Sequence, residues 1–170
     1  NDSTLQWNAA GWLVEVKKLK IKNGTFRTDK KTDRETFSYF DGQHLEFGNV
    51  QGEFENIRWF KDTISTRMSL SAKERSGFEV KKMLADAKVT PTEMAFANLD
   101  IETNNSTIRN FFRMSYESFN SMGDFIHQVN MQGEFDQAEI DSDDIAFFAP
   151  ALSTWKKRIV LNGRIRGTVD

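Results

Sequence analysis

Asn49-Val50-Gln51-Gly52-Glu53-Phe54 and Asn130-Met131-Gln132-Gly133-Glu134-Phe135 agree at five of six positions and lie 81 residues apart (130 − 49). Leu45 and Phe47 precede the first copy, and Ile126 and Val129 precede the second, so each has a strand-type apolar flank. Self-similarity at a long, fixed spacing is the mark of strand units stacked along one axis. It divides the chain into a possible internal repeat, about residues 40–120 and 121–170. Such a stack presents an extended edge or groove more naturally than a catalytic pocket.

The sequence around the two hexapeptides is rich in strand patterns. From Val14 to Phe26 apolar and basic residues alternate, with a slip at Lys17-Lys18 that predicts a bulge. Asn23-Gly24 is a turn signal, residues 27–37 are polar enough for a solvated loop, and Phe40-Asp41-Gly42-Gln43 is a second turn. Strand patterns follow at 44–48 and 50–60. Over 63–70, Ile64, Thr66, Met68 and Leu70 share one parity. Ser71 with Glu74 has the spacing of a helix cap and capping box. Val80, Met83, Leu84 and Ala87 then fall at i, i+3, i+4 and i+7, which predicts a short amphipathic helix stopped by Pro91.

A strand is expected over 92–103, with Met94 and Phe96 on one parity and Leu99 and Ile101 on the other. Residues 104–118 suit a strand or a mixture of strand and turn. After the second hexapeptide, Ser142 is placed to cap a short helix over Asp143–Phe148 with an acidic first turn, and Pro150 ends it. The last strand is the clearest: Ile159, Leu161, Ile165 and Val169 share a parity opposed by Arg164, Arg166 and Thr168. The expected fold is therefore mainly β (α+β). It is an elongated, curved sheet of antiparallel type, built from repeated strand units with two short amphipathic helices. No linker divides the 170 residues, which form a single β-rich segment. The beginning at Asn1 and the end directly after a strand pattern fit a segment of a larger protein.

Composition narrows the chemistry. Fifteen Phe and four Trp belong to a folded chain, and a net charge of −2 with dispersed Lys and Arg gives no electrostatic case for nucleic acid. Cysteine is absent, which excludes disulfides, thiolate metal sites and thiol catalysis. It also suits a bacterial cytosol or periplasm better than a small secreted eukaryotic domain. No apolar run approaches the roughly 20 residues that cross a bilayer.

The two histidines, His44 and His127, each sit near the start of a repeat unit in a strand pattern, which reads as an exposed or half-buried strand residue. There is no Gly-x-Ser-x-Gly elbow and no phosphate-binding glycine loop ahead of a helix. The acidic run Asp136, Glu139, Asp141, Asp143, Asp144 fails the calcium-loop pattern, since Ala146 and Leu152 stand where Gly and Glu are needed. No catalytic residue, metal or cofactor is assigned, and the chain is expected to act by binding rather than as an enzyme. Trp7, Trp12, Trp59 and Trp155 supply an alternative, a carbohydrate-binding or adhesive β-module of a bacterial surface protein.

Several stretches in order carry a family likeness. They are Asn23-Gly24-Thr25-Phe26, the run Leu70-Ser71-Ala72-Lys73-Glu74-Arg75-Ser76-Gly77-Phe78, and the strand end Leu99-Asp100-Ile101-Glu102-Thr103-Asn104-Asn105-Ser106. The most specific are Ile145-Ala146-Phe147-Phe148-Ala149-Pro150-Ala151-Leu152 and Gly163-Arg164-Ile165-Arg166-Gly167-Thr168. Over about residues 14–170 the chain resembles the repetitive region of the long AsmA-like envelope proteins, the TamB translocation and assembly module family. The resemblance implies a periplasmic location and a tether to the inner membrane through a helix outside this sequence. It also implies a role in outer-membrane protein assembly or inter-membrane phospholipid transport, with an outer-membrane assembly partner of the Omp85 type. The candidate binding face is Met94, Phe96, Ile159, Leu161, Ile165 and Val169, sheltering phospholipid acyl chains or an extended client strand. The same six residues also fit an ordinary buried core.

Overall fold

The computed structural model describes residues 6–30 and 35–168. Val169, the last residue of the candidate face, lies outside the described residues. Eight strands form one antiparallel sheet in which spatial order follows chain order. They are β1 (Leu13–Asp29), β2 (His44–Phe60), β3 (Thr63–Glu74), β4 (Glu79–Thr90), β5 (Glu93–Glu102), β6 (Thr107–Ser115), β7 (Asn130–Asp141) and β8 (Arg158–Gly167). A 3-10 segment (Phe119–Asp124) and a single helical turn, α1 (Phe125–Gln128), precede β7. A short helix, α2 (Ser142–Ala146), and a 3-10 turn (Pro150–Leu152) lie between β7 and β8. The fold is mainly β, an open sheet with each strand hydrogen-bonded to its neighbours in sequence.

The helix expected around Val80 to Ala87 is instead strand β4. Its residues pair on both sides, Ile64↔Val89 to Leu70↔Met83 with β3 and Val89↔Met94 to Met83↔Ile101 with β5. Ladders on both sides outweigh a weak helical propensity, and Met83, Ala85, Ala87 and Val89 alternate onto one face. Ser71 and Glu74, expected as a cap and capping box, are likewise strand residues. The second expected helix is present as α2, but its cap is Asp141, whose side chain accepts from the Asp143 amide. Ser142 is buried one position later, and its Oγ accepts from the Lys157 amide at 2.9 Å.

Asn23-Gly24 is not a hairpin turn. β1 runs through it to Asp29, and Asn23 takes φ of +52° at a register shift between Ile21 and Phe26. The bulge predicted at Lys17-Lys18 produces no register shift there, because Val16↔Ile57 and Lys18↔Glu55 keep the register that runs from Leu13↔Phe60 to Ile21↔Gly52. Side-chain parity does slip at that point. β2 carries its own left-handed residue opposite, Asn56 with φ of +52°, and shifts register against β3 between Glu55 and Arg58.

Similar irregularities recur in β5 and β7. Asn98 has φ of +50° where β5 shifts against both β4 and β6, and Gln137 has φ of +48° where β7 shifts against both β6 and β8. Each follows a phenylalanine by two residues: Phe54, Phe96 and Phe135. An extra left-handed residue flips the parity of everything after it. It therefore carries Phe96 and Leu99, which sequence parity separated, onto the same side. The sheet owes its two-sidedness to these bulges.

Candidate functional site

Paired residues in an antiparallel sheet share a face, and tracing the register shows one face that is apolar across all eight strands. Its centre is Met68, Ala85, Ala87 and Leu99, with Phe54, Met83, Phe96, Ile101 and Phe112 packed against it. β1 adds Val14 and Leu19, opposite Trp59 and Phe54, and β7 adds Phe135 and Ala138. Leu99 is only 3% exposed, clustered with Met68, Ala85 and Ala87. The face is less sheltered at the two outer strands, where Val14 is 39% and Ile165 48% exposed.

The predicted residues fall within this surface. Met94 and Phe96 in β5 pair with Met114 and Phe112, which pair in turn with Met131 and Gly133 of β7. Ile165 pairs with Gly133, Leu161 with Ala138 and Ile159 with Ile140. Five of the six candidate residues therefore share one side of the sheet. Met94 and Phe96 lie near its middle, and Ile159, Leu161 and Ile165 lie on its outer strand. Sequence reasoning missed the central members Met68, Ala85, Ala87 and Leu99. The signal for the first three was plain alternation in β3 and β4. The signal for Leu99 was an Asn two residues after a Phe.

The two hexapeptides lie on β2 and β7, strands of opposite direction, and place their side chains on the two faces in the same way. In each, the glutamate points to the opposite side, where Glu53 meets Lys20 at 2.9 Å and Glu134 meets Arg164 at 3.0 Å. The glycine and phenylalanine point to the apolar side, with the ring folded back over the glycine. A Cβ on Gly52 would stand 2.9 Å from Phe54 Cε2, and one on Gly133 would stand 2.4 Å from Phe135 Cζ. Only glycine leaves room for a ring lying flat along its own strand.

Aromatic clusters border the face at both strand ends. At the end carrying the β3–β4 turn, Phe148 lies 4.8 Å from Phe40 and 5.0 Å from Phe78, and the Phe40 amide donates to the Phe147 carbonyl at 2.9 Å. Beneath them Asp144, 5% exposed, accepts from the Thr103 hydroxyl and, at 3.1 Å each, from the Asn105 amide nitrogen and side chain. At the other end Phe119 stacks on Trp7 at 5.3 Å and approaches Tyr116 at 5.4 Å. Burial pushes the Tyr116 hydroxyl up to about 12, with Glu93 adding to the shift. Trp7 and Asn8 are held by their amides to Asp62 Oδ1 at 2.6 and 3.1 Å. The tryptophans are dispersed: Trp59 lies on the apolar face, Trp7 on Phe119, and exposed Trp12 and Trp155 at opposite strand ends.

The other face is charged and ion-paired. Arg67 meets Asp86 at 3.1 Å, Lys82 meets Asp100 at 2.7 Å, and Arg58 meets Glu15 at 3.5 Å. Hydrogen bonds from Lys18 and Lys20 hold the Glu53 carboxyl down at about 2. The Asn98 side chain and Arg67 lower that of Asp86. His44 contacts Asp29 at 3.3 Å, and His127, in α1 rather than a strand, contacts Asp124 at 2.7 Å. Among the described residues no group of three His, Asp or Glu is placed to hold a metal ion. No helix among them is long and apolar enough to cross a membrane. The chain matches no protein-family model, no curated protein and no solved structure.

Proposed function

We propose that this chain is a non-enzymatic, periplasmic piece of an AsmA-like, TamB-like envelope protein, and that its apolar face shelters the acyl chains of phospholipid. The observation that carries the reading is the apolar face itself, continuous over eight strands and with no second layer packed on it among the described residues. Burying such a surface is favourable by roughly 25 cal/mol per Å², so a sheet that leaves it uncovered is built to receive something apolar. The bulges of β2, β5 and β7 bend their strands, which favours a curved sheet with its apolar side inward. Aromatic clusters at both strand ends then act as walls, and a groove runs from strand to strand. Its floor passes out at the unpaired edges of β1 and β8, where further strands of the larger protein would extend it. The two hexapeptides each lay a phenylalanine over a glycine along the floor, on β2 and β7. An outer-membrane assembly partner of the Omp85 type and a tether to the inner membrane belong to the same reading.

Leu161→Glu tests it. Leu161 is half-buried on the outer strand, opposite Ala138. A carboxylate there would sit in the groove without a partner but need not enter a closed core. The expected result is an unchanged far-UV spectrum with loss of binding to a fluorescent phospholipid analogue. Loss of the fold would show that the residue belongs to a sealed core, and retained binding would show that lipid does not use this face.

A further inference from the structure

A second feature lies on the charged face and is independent of the apolar one. A depression of ≈ 290 Å³ opens over β1–β4, and its lining includes Lys20, Lys22, Lys81 and Lys82, Ser69 and Ser71, and the acid Glu53. Three consecutive register shifts create it. β1 shifts against β2 after Ile21, β2 against β3 between Gly48 and Gln51, and β3 against β4 between Leu70 and Ala72. The last of these sets two residues, Lys81 and Lys82, against the single Ser71, so neighbouring lysines that would normally diverge line one hollow. Gln51, which pairs with Ser71, is fixed by its side-chain donation to Asn23 Oδ1 at 2.6 Å.

The charges of this hollow do not balance. Lys82 has Asp100 at 2.7 Å, and Lys20 has Glu53 at 2.9 Å, but Glu53 is shared with Lys18. Lys81 Nζ donates to the carbonyl of Asn104 at 2.9 Å. Among the described residues neither Lys81 nor Lys22 meets a carboxylate. Elsewhere on this face Arg58, Arg67, Arg158 and Arg164 each face an acid. Four lysine side chains and two serines thus line, with the single carboxylate of Glu53, a space large enough for a phosphate with a small polar substituent.

We propose that this depression binds a phosphate-bearing anion. Ammonium groups act as point-charge partners for phosphate oxygens, and the serines supply neutral donors beside them. The site is open to solvent, so binding is weak and falls as salt screens it. Phosphate is presented equally by a soluble phosphate ester and by an anionic lipid headgroup, and the test separates the two sources.

Pyrophosphate is titrated into the isotope-labelled chain at low salt while amide resonances are followed. The expected result is a saturable shift at Ser69 and Ser71 with a dissociation constant on the order of 1 mM. It should weaken about tenfold in Lys22→Gln/Lys81→Gln and remain unchanged in Lys88→Gln. Flotation with phosphatidylglycerol and phosphatidylcholine vesicles forms the second arm. Retention on phosphatidylglycerol alone, lost in the double variant, assigns a lipid headgroup, whereas pyrophosphate binding without flotation assigns a soluble ligand. The proposal is overturned if the serine amides do not move up to about 20 mM pyrophosphate. It is equally overturned if the double variant binds as the parent does.

Discussion

Replacing Gly133 by alanine should destabilise the sheet, whereas the same change at Gly48 should not. The added Cβ at Gly133 would stand 2.4, 2.7 and 3.1 Å from Cζ, Cε2 and Cε1 of Phe135, all inside contact distance. The ring cannot simply swing aside into solvent without cost, because Phe135 is only 8% exposed. Overpacking of this kind costs about 1–3 kcal/mol, and the lower backbone entropy of alanine returns about 0.5–1 kcal/mol. The net expectation is about 1–2 kcal/mol lost, set by the ring rather than the backbone. At Gly48 nothing lies within 4 Å of the added atom, so only the entropy gain remains and the change is neutral or mildly stabilising. Gly52 falls between them, since its nearest neighbour is Phe54 Cε2 at 2.9 Å and that ring is only half-buried. Urea denaturation of the three variants measures the order directly. If Gly133→Ala cost no more than Gly48→Ala, the packing of phenylalanine over glycine would not be the reason these glycines stand in the hexapeptides.

Three other outcomes follow from the geometry. Asn98→Ala should cost about 1–2 kcal/mol in the same assay, from a left-handed residue at φ of +50° and a lost bond to Asp86, while Asn98→Gly should cost less. Asp144→Ala removes the acceptor of three donors and should cost about 3 kcal/mol, with faster amide exchange at Asn105 and Ser106. The Glu53 carboxyl is ionised in the folded chain down to about 2, against an ordinary value of 4.5. Its pairing with Lys18 and Lys20 therefore contributes fully above about 4.5 and is lost as the pH falls through about 2. Carboxyl carbon resonances at low salt should show that midpoint. A midpoint at the ordinary value would mean that the pairing does not persist in solution.

The sheet was legible wherever alternation ran unbroken, as over Ile64, Thr66, Met68 and Leu70 or over Ile159, Leu161 and Ile165. It was obscured where a bulge or a misplaced apolar residue intervened. Leu84 shows this well: it lies on the charged face, 39% exposed, and with Val80, Met83 and Ala87 it imitates a helical stripe. The competing signal, Met83, Ala85, Ala87 and Val89 at every second position, was present but made of small residues. Asn23-Gly24 illustrates a different limit. Positive φ serves a hairpin turn and a bulge equally, and the choice rests on whether β2 continues alongside, which local sequence does not record. The candidate face was half legible for the same reason. Met94 and Phe96 were found by parity, but Leu99 crosses to their side only through Asn98. Both hexapeptides are followed, two residues after the phenylalanine, by such a residue, Asn56 and Gln137, at the same 81-residue offset (137 − 56). The similarity of Phe54-Glu55-Asn56 to Phe135-Asp136-Gln137 was therefore the overlooked signal. The lysine hollow was illegible, because it depends on three register shifts in separate strand pairs.

Native mass spectrometry of the purified chain, followed by organic extraction and lipid analysis, tests the central claim most directly. The account predicts phospholipid bound at a defined stoichiometry and released on extraction. A folded, lipid-free chain that also takes up no phospholipid when it is supplied would contradict it.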